Sequence, residues 1–185
     1  IGIRLPMEKV ESGIVQAIRD LSPNGLQSAA EAIMTTDSRP KISTHQSGEV
    51  QCSGIAKGAG MLAPSLATML SVIMTDAKVD SIKAVEIFRE VCEKTFNRID
   101  SDGCTSTNDT VFLLASGASG VQLSDEDLRG LLMRVCGDLA SALISDAEGH
   151  TKVVSITTVN AKSERDAVEI RSEEHTSELQ SRQYL

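Results

Sequence analysis

Residues 54–77 hold the side chains best suited to chemistry in this chain of 185 residues. Their sequence, GIAKGAGMLAPSLATMLSVIMTDA, places Lys57 beside three glycines and Thr68 at the head of an apolar run. A lysine ammonium can neutralise an anionic ligand, and a threonine hydroxyl can attack a carbonyl carbon when a base takes its proton. A loop, a proline and then Ala-Thr entering a strand suit a threonine whose own amine, freed by a chain break, acts as that base.

Simpler interpretations of the same stretch remain open at this point. The KGAG loop at 57–60 is not followed by Lys-Ser/Thr opening a helix, so the pattern excludes a P-loop and is equally typical of a plain turn. Thr68 alone is typical of a packed, β-branched strand residue.

The elements that must position this stretch are predicted from the spacing of apolar residues. Apolar positions three and four apart predict helices at 7–21, about 25–34, 80–98, about 125–145 and from 161 onward. A hairpin is predicted over 40–56, turning at Ser47-Gly48, with further strands beginning at Thr68 and over 110–116 and 152–159. Ser124 with Asp127 forms a capping-box-like start for the 125–145 helix. This order predicts an α+β or layered α/β fold.

Composition excludes several classes of partner. The 26 acidic side chains against 18 basic ones give a net charge of −8, which disfavours a nucleic-acid backbone as partner. Only 2% of the residues are aromatic, too few for a base-stacking surface. No apolar run approaches the roughly 18–20 residues of a membrane span. The widely separated Cys52, Cys92, Cys104 and Cys136 predict reduced thiols in a cytoplasmic protein.

The acidic loop around Gly103 does not fit a calcium site. An EF-hand needs glycine at its sixth position and glutamate at its twelfth, whereas, counted from Asp100, Gly103 is fourth and Val111 is twelfth. We therefore interpret Asp100, Asp102 and Asp109 as part of a solvated turn and predict no metal ligand.

The sequence IAKGAGMLAPSLATML at 55–70 resembles the signature of the ornithine acetyltransferases, also called bifunctional glutamate N-acetyltransferases. Further segments resemble that family in the same order: IG and LPM near the start, AIMTTD at 32–37, MTDA at 74–77, STNDTV at 106–111 and AEGHTKVV at 147–154. The resemblance extends over the chain as far as about residue 170.

The resemblance implies a role for individual residues. Family precursors cut themselves between the residues that match Ala67 and Thr68, and Thr68 then becomes the catalytic nucleophile. Thr35, Lys57, Thr68 and Glu148 match substrate-binding positions. His150 stands where the family usually has alanine, and we interpret it as a tolerated loop variation. The family's oxyanion donors are a Thr-Gly pair shortly before the segment that matches the start of this chain.

The implied enzyme moves the acetyl group of N2-acetyl-L-ornithine to L-glutamate through an acetyl-threonine intermediate in arginine biosynthesis. It needs no cofactor, and acetyl-CoA is a further candidate co-substrate. The implied partners are the α and β chains of one precursor, assembled as a heterotetramer with a layered α/β sandwich fold. Two alternatives stay open: a self-cleaving N-terminal-nucleophile aminopeptidase or amidohydrolase, and a non-catalytic assembly fragment.

On this resemblance the chain is expected to be an internal fragment that is inactive by itself. Residues 1–67 match the end of the family's α segment, and residues 68–170 match the start of its β segment. Residues 171–185 begin with RSEEHTSELQS, which resembles the conceptual translation of a DNA-sequencing adapter. We expect that tail to be foreign to the protein and exposed.

Overall fold

A computed structural model of the chain describes residues 4–60, 69–101 and 108–170. The described part is an α+β fold in which helices cover a four-stranded sheet. Its elements are α1 (Met7–Arg19), α2 (Leu26–Ala32), β1 (Lys41–Ser47), β2 (Val50–Lys57), β3 (Leu70–Thr75), α3 (Ser81–Lys94), a short 3₁₀ helix (Phe96–Arg98), β4 (Thr110–Ala115) and α4 (Asp125–Ile144). Residues 164–170 are also helical.

The strands lie in the sheet in the same order as in the sequence, β1-β2-β3-β4. β1 and β2 form the predicted antiparallel hairpin, with Ser47 opposite Val50. Gly48 adopts a φ of 59°, which glycine reaches without steric cost, and this explains the sharp turn. β2 and β3 are antiparallel, whereas β3 and β4 are parallel and are joined through α3.

The core lies between α4 and one face of the sheet. Helix α4 packs on β1, β2 and α3, and its predicted apolar stripe is fully confined to the interior. The buried positions of that stripe are Leu128, Leu131, Leu132, Val135, Leu139 and Leu143. Gly54 allows this close packing, because a Cβ there would lie 2.8 Å from the terminal methyl carbons of both Ile73 and Leu139. Backbone of β2 therefore contacts the helix layer directly.

Both long helices of the core begin at a side-chain cap. The Asp80 carboxylate accepts hydrogen bonds from the backbone N–H groups of Ile82 and Lys83, each at 3.0 Å. The Ser124 hydroxyl accepts from the backbone N–H of Asp127 at 3.1 Å, which confirms the cap predicted for α4. Such caps satisfy N–H groups that have no partner within the helix, so the starts of α3 and α4 are fixed locally.

Three expectations need correction. Residues 152–159 form no strand, and Val153, Val154 and Val159 are more than half exposed. Their β-branched side chains favour an extended backbone, but a strand also needs a neighbour for its backbone groups. None of the described strands pairs with this segment. The predicted 80–98 helix ends at Lys94 and continues as the 3₁₀ turn. Helix α1 forms but ends at Arg19, and none of its residues is buried.

Candidate functional site

The sheet brings Lys57 and the residues that follow Thr68 together at one end of the two central strands, β2 and β3. β2 ends at Lys57, and its register partner on β3 is Leu70, two residues after Thr68. The backbone carbonyl of Met69 accepts a hydrogen bond of 3.0 Å from the N–H of Thr110, where β4 begins. Ala67 and Thr68, the predicted cleavage site and nucleophile, lie outside the described residues. Their C-terminal neighbour is nevertheless fixed beside the start of β4.

Lys57 is a buried cation at the end of β2. It is 6% exposed and, by strand alternation, lies on the opposite sheet face to Gly54 and Ala56, which face α4. Within residues 4–60, 69–101 and 108–170, its ammonium group has no hydrogen-bond or ion-pair partner. Because a buried charge is costly without a counter-charge, this side chain is suited to an anionic ligand.

Asp37 joins the Thr35 loop to the Lys57 strand. Its Oδ1 accepts a hydrogen bond of 2.7 Å from the backbone N–H of Gly58, the residue after Lys57. Its Oδ2 accepts one of 3.2 Å from the backbone N–H of Thr35. One carboxylate therefore fixes the backbone at or beside two predicted substrate-binding residues. Thr35 itself is exposed at the surface.

A buried ion cluster extends from Asp37 toward the C-terminal end of α4. The ammonium nitrogen of Lys41 lies 2.5 Å from Asp37 Oδ1 and 2.6 Å from Asp146 Oδ2. The side chains of Lys41 and Asp37 are 0% exposed, and that of Asp146 is 6% exposed. Asp146 also accepts hydrogen bonds from the backbone N–H and the hydroxyl of Ser38. We call Asp37, Lys41 and Asp146 the ion cluster.

The ion cluster leaves both carboxylates charged in the folded protein. Burial raises the pKa of Asp37, but hydrogen bonds from Gly58 N–H, Lys41 and Thr35 N–H outweigh it and hold that pKa below its ordinary value. Burial likewise raises the pKa of Asp146, and hydrogen bonds from Lys41 and Ser38 bring it below the ordinary value. Two anions around one cation thus persist at neutral pH.

Glu148 approaches the glycine-rich loop from the segment after α4. Its backbone N–H donates a hydrogen bond to the carbonyl of Ala59. Its carboxylate passes close to Gly60, where an added Cβ would lie 3.4 Å from Glu148 Oε2. The side chain is exposed, so its charge is open to a cationic group. The fold therefore gathers Thr35, Lys57 and Glu148 around one loop.

Several residues that serve this region were not identified as functional from the sequence. Asp109, which we assigned to a solvated turn, accepts a hydrogen bond of 2.6 Å from the backbone N–H of Met69 through its Oδ1. Its place in the STNDTV segment was the only signal that could have drawn attention to it. Asp37 likewise stood in the AIMTTD segment, whereas Lys41 and Asp146 carried no signal.

Three further findings concern the described ranges. A ring nitrogen of His150 lies 2.7 Å from the carbonyl oxygen of Ala147, a local contact three residues away. Among the described residues, no three His, Cys, Asp or Glu side chains lie together in a way that could hold a metal ion. No helix in the described part of the chain has both the length and the apolar character needed to cross a membrane.

Comparison with known proteins shows the family of the chain. The model of the ArgJ family matches residues 1–181. The chain belongs to the ArgJ family. Among its relatives, the arginine biosynthesis bifunctional protein ArgJ of Thermobifida fusca (strain YX) is 49% identical over 170 residues, which is 92% of this chain. The protein of the same name from Mycolicibacterium paratuberculosis (strain ATCC BAA-968 / K-10) is 50% identical over 171 residues, or 91% of the chain.

These relatives are longer than the chain described here. The alignments cover 44% of the Thermobifida protein and 42% of the Mycolicibacterium protein. The chain thus spans less than half the length of these ArgJ proteins. The sequence-based assignment to this family is confirmed by both comparisons.

Proposed function

We propose that a full-length protein containing this segment is an acetyltransferase of arginine biosynthesis that moves the acetyl group of N2-acetyl-L-ornithine to L-glutamate. One observation carries the proposal: the buried Lys57 ammonium has no described counter-charge and lies in register with Leu70, two residues after Thr68. The neighbouring Thr35 and Glu148 add polar groups around the same loop. Membership of the ArgJ family supports the same activity.

The proposed reaction begins with self-cleavage. The Thr68 hydroxyl attacks the carbonyl carbon of Ala67, the peptide C–N bond breaks, and an ester joins the two residues. Water then hydrolyses the ester, leaving a carboxylate on Ala67 and a free α-amine on Thr68. That amine is the base for the next step, directly or through a water molecule.

Acetyl transfer then takes place in two halves. The Thr68 hydroxyl attacks the acetyl carbonyl of N2-acetylornithine and gives its proton to the α-amine. The C–N bond of the substrate breaks, ornithine leaves with that proton, and an acetyl ester remains on Thr68. The neutral α-amine of glutamate attacks this ester, which releases N-acetylglutamate and restores the hydroxyl. Donors aimed at the developing oxyanion are required in each half.

We assign substrate recognition to the charges around the loop. Lys57 pairs with a substrate carboxylate, because it is buried and cationic. Glu148 pairs with the side-chain ammonium of ornithine, because its carboxylate is exposed beside Gly60. Thr35 provides a further polar contact. We place the enzyme in the cytoplasm, as a heterotetramer of cleaved α and β chains, without a cofactor and with acetyl-CoA as a second candidate acetyl donor.

The test uses a full-length protein that includes this segment. Ornithine release from N2-acetylornithine is measured with and without glutamate, and the acetylated β chain is sought by intact mass. Glutamate-dependent release with a 1:1 yield of N-acetylglutamate is expected. Acetate release that is indifferent to glutamate would instead identify an amidohydrolase, and cleavage of peptides would identify an aminopeptidase.

A pair of lysine variants sharpens the test. Lys57→Ala is expected to cleave itself normally but to lose most of its use of N2-acetylornithine, because the buried counter-charge is gone. Lys83→Ala is the matched control, since Lys83 is an exposed residue of α3 whose side chain is 61% accessible. Equal activity of the two variants would contradict the role assigned to Lys57. A folded full-length protein without turnover would refute the proposed acetyl transfer.

A further inference from the structure

We propose that Asp37 is a positioning residue that sets the backbone around Lys57 and Thr35 for substrate binding, and that the remainder of the ion cluster couples it to the Glu148 loop. This inference rests on the proposed acetyl transfer. Asp37 accepts the N–H groups of Gly58 and Thr35 at 2.7 and 3.2 Å. No contact with substrate is assigned to it.

The geometry allows Asp37 only one chemical form. Its Oδ1 accepts from Gly58 N–H and from the Lys41 ammonium, and its Oδ2 accepts from Thr35 N–H. All three partners are donors, so a carboxylate satisfies them and an amide cannot. In Asp37→Asn the NH₂ group must face either Gly58 and Lys41 or Thr35, and a donor then opposes a donor.

Lys41 connects this carboxylate to a distant part of the chain. Its ammonium also contacts Asp146, which is 105 residues away in the sequence and two residues before Glu148. Asp146 in turn holds the backbone N–H of Ser38 at 3.1 Å. The segments that carry Thr35, Lys57 and Glu148 are therefore joined through one set of charges that is almost entirely buried. Such a set is rigid, because each member loses its partners if it moves.

This arrangement explains why a buried salt bridge lies next to the candidate site. Buried ion pairs are weak sources of stability compared with apolar packing of the same volume. Their geometry is directional, however, and small displacements of groups that orient a substrate can reduce rates by about 100-fold. The ion cluster is thus better suited to orientation than to stabilisation.

The experiment is a double-mutant cycle in a full-length protein that includes this segment. The variants are Asp37→Asn, Lys57→Ala and the double variant, and kcat/KM and KM for N2-acetylornithine are measured for each. Asp76→Asn is the matched control: the Asp76 carboxylate also accepts a backbone N–H, that of Gln51 at 2.8 Å, but at the opposite end of β2. Yield of self-cleaved protein and circular dichroism show whether each variant folds.

Asp37→Asn is expected to lower kcat/KM by about 10- to 100-fold, mainly through a higher KM, while Asp76→Asn stays within about twofold of wild type. In the Lys57→Ala background, Asp37→Asn is expected to lower kcat/KM by a clearly smaller factor than in the wild type, because the part of its effect that acts through Lys57 is already lost. A loss that is the same in both backgrounds would overturn the inference, since a merely structural role lowers activity independently of Lys57.

The two proposals fail in different ways. Wild-type protein that shows no glutamate-dependent release of ornithine would refute the proposed function, and this inference with it. If the wild type turns over but Asp37→Asn and Asp76→Asn have the same kcat/KM, only the inference about Asp37 is refuted. If Asp37→Asn does not fold, the same double-mutant cycle is measured with Asp146→Asn and Glu148→Ala. Their effects on kcat/KM are again expected to be non-additive. Fully additive effects would overturn the inference.

Discussion

Replacing Lys41 by methionine should destabilise the protein strongly at neutral pH. The substitution keeps an unbranched side chain but removes its terminal ammonium, which lies 2.5 Å from Asp37 and 2.6 Å from Asp146. All three side chains are at least 94% buried, so water cannot replace the lost charge. Removing one partner of a buried ion pair costs about 3–5 kcal/mol, and here two carboxylates lose their common partner. We expect a cost in the upper part of that range.

The destabilisation should depend on pH in a defined direction. In the wild type, the pKa values of Asp37 and Asp146 lie below 3.8, so their stabilising contribution is present above pH 3.8 and is lost as the pH falls through the folded pKa values. Without Lys41, the pKa of each carboxyl rises from its wild-type value, because a cationic hydrogen-bond partner is lost while the burial remains. As the pH falls, the two buried carboxylates of the variant become protonated and lose their unpaired charge. The difference in the free energy of unfolding between variant and wild type therefore becomes smaller in acid.

The assay is urea denaturation of the full-length wild type and variant, followed by far-ultraviolet circular dichroism at about pH 7 and about pH 4.5. Lys83→Met is the control, because Lys83 and Asp125 are 3.5 Å apart with exposures of 61% and 56%. It should remain within about 1 kcal/mol of wild type at both pH values. A Lys41→Met variant as stable as Lys83→Met at neutral pH, or one whose deficit grows in acid, would refute the reasoning.

Three further predictions concern the nucleophile, the core and the start of β3. Thr68→Ala in the full-length protein should give one uncut chain without transferase activity, whereas Thr68→Ser should cleave slowly. Intact mass and N-terminal sequencing measure the cleavage, and a wild-type β chain that starts at any residue other than Thr68 would contradict the mechanism. Gly54→Ala should lower the free energy of unfolding, measured by urea denaturation, by about 1–3 kcal/mol, because its Cβ would lie 2.8 Å from methyl groups of β3 and α4. An unchanged free energy of unfolding would contradict the close packing of β2 on the helix layer. In Asp109→Asn the side-chain oxygen can still accept the Met69 N–H, while Asp109→Ala removes the acceptor. Self-cleavage, followed by gel densitometry over time, should therefore be slow in the alanine variant and close to the wild-type rate in the asparagine variant.

The sequence alone determined the elements whose signals are local. The β1–β2 turn needs only a glycine at Gly48, and the start of α4 needs only Ser124 three residues before Asp127. The apolar stripe of α4 has the period of one helix face, so its burial was readable before any neighbour was known. Thr35, Lys57 and Glu148 are predicted to bind substrate from short segments, because each lies within a run of residues that resembles one family.

Tertiary structure decided the features that depend on distant neighbours. Residues 152–159 have the composition of a strand but form none, because no described strand lies beside them to complete a ladder. Lys41 is wholly buried where the fold brings the Asp146 carboxylate, from 105 residues away, to a lysine that already pairs locally with Asp37. Asp109 likewise holds Met69 across 40 residues. Local spacing carries no information about such contacts, since they exist only once α4 has packed on the sheet and the ends of β2, β3 and β4 meet.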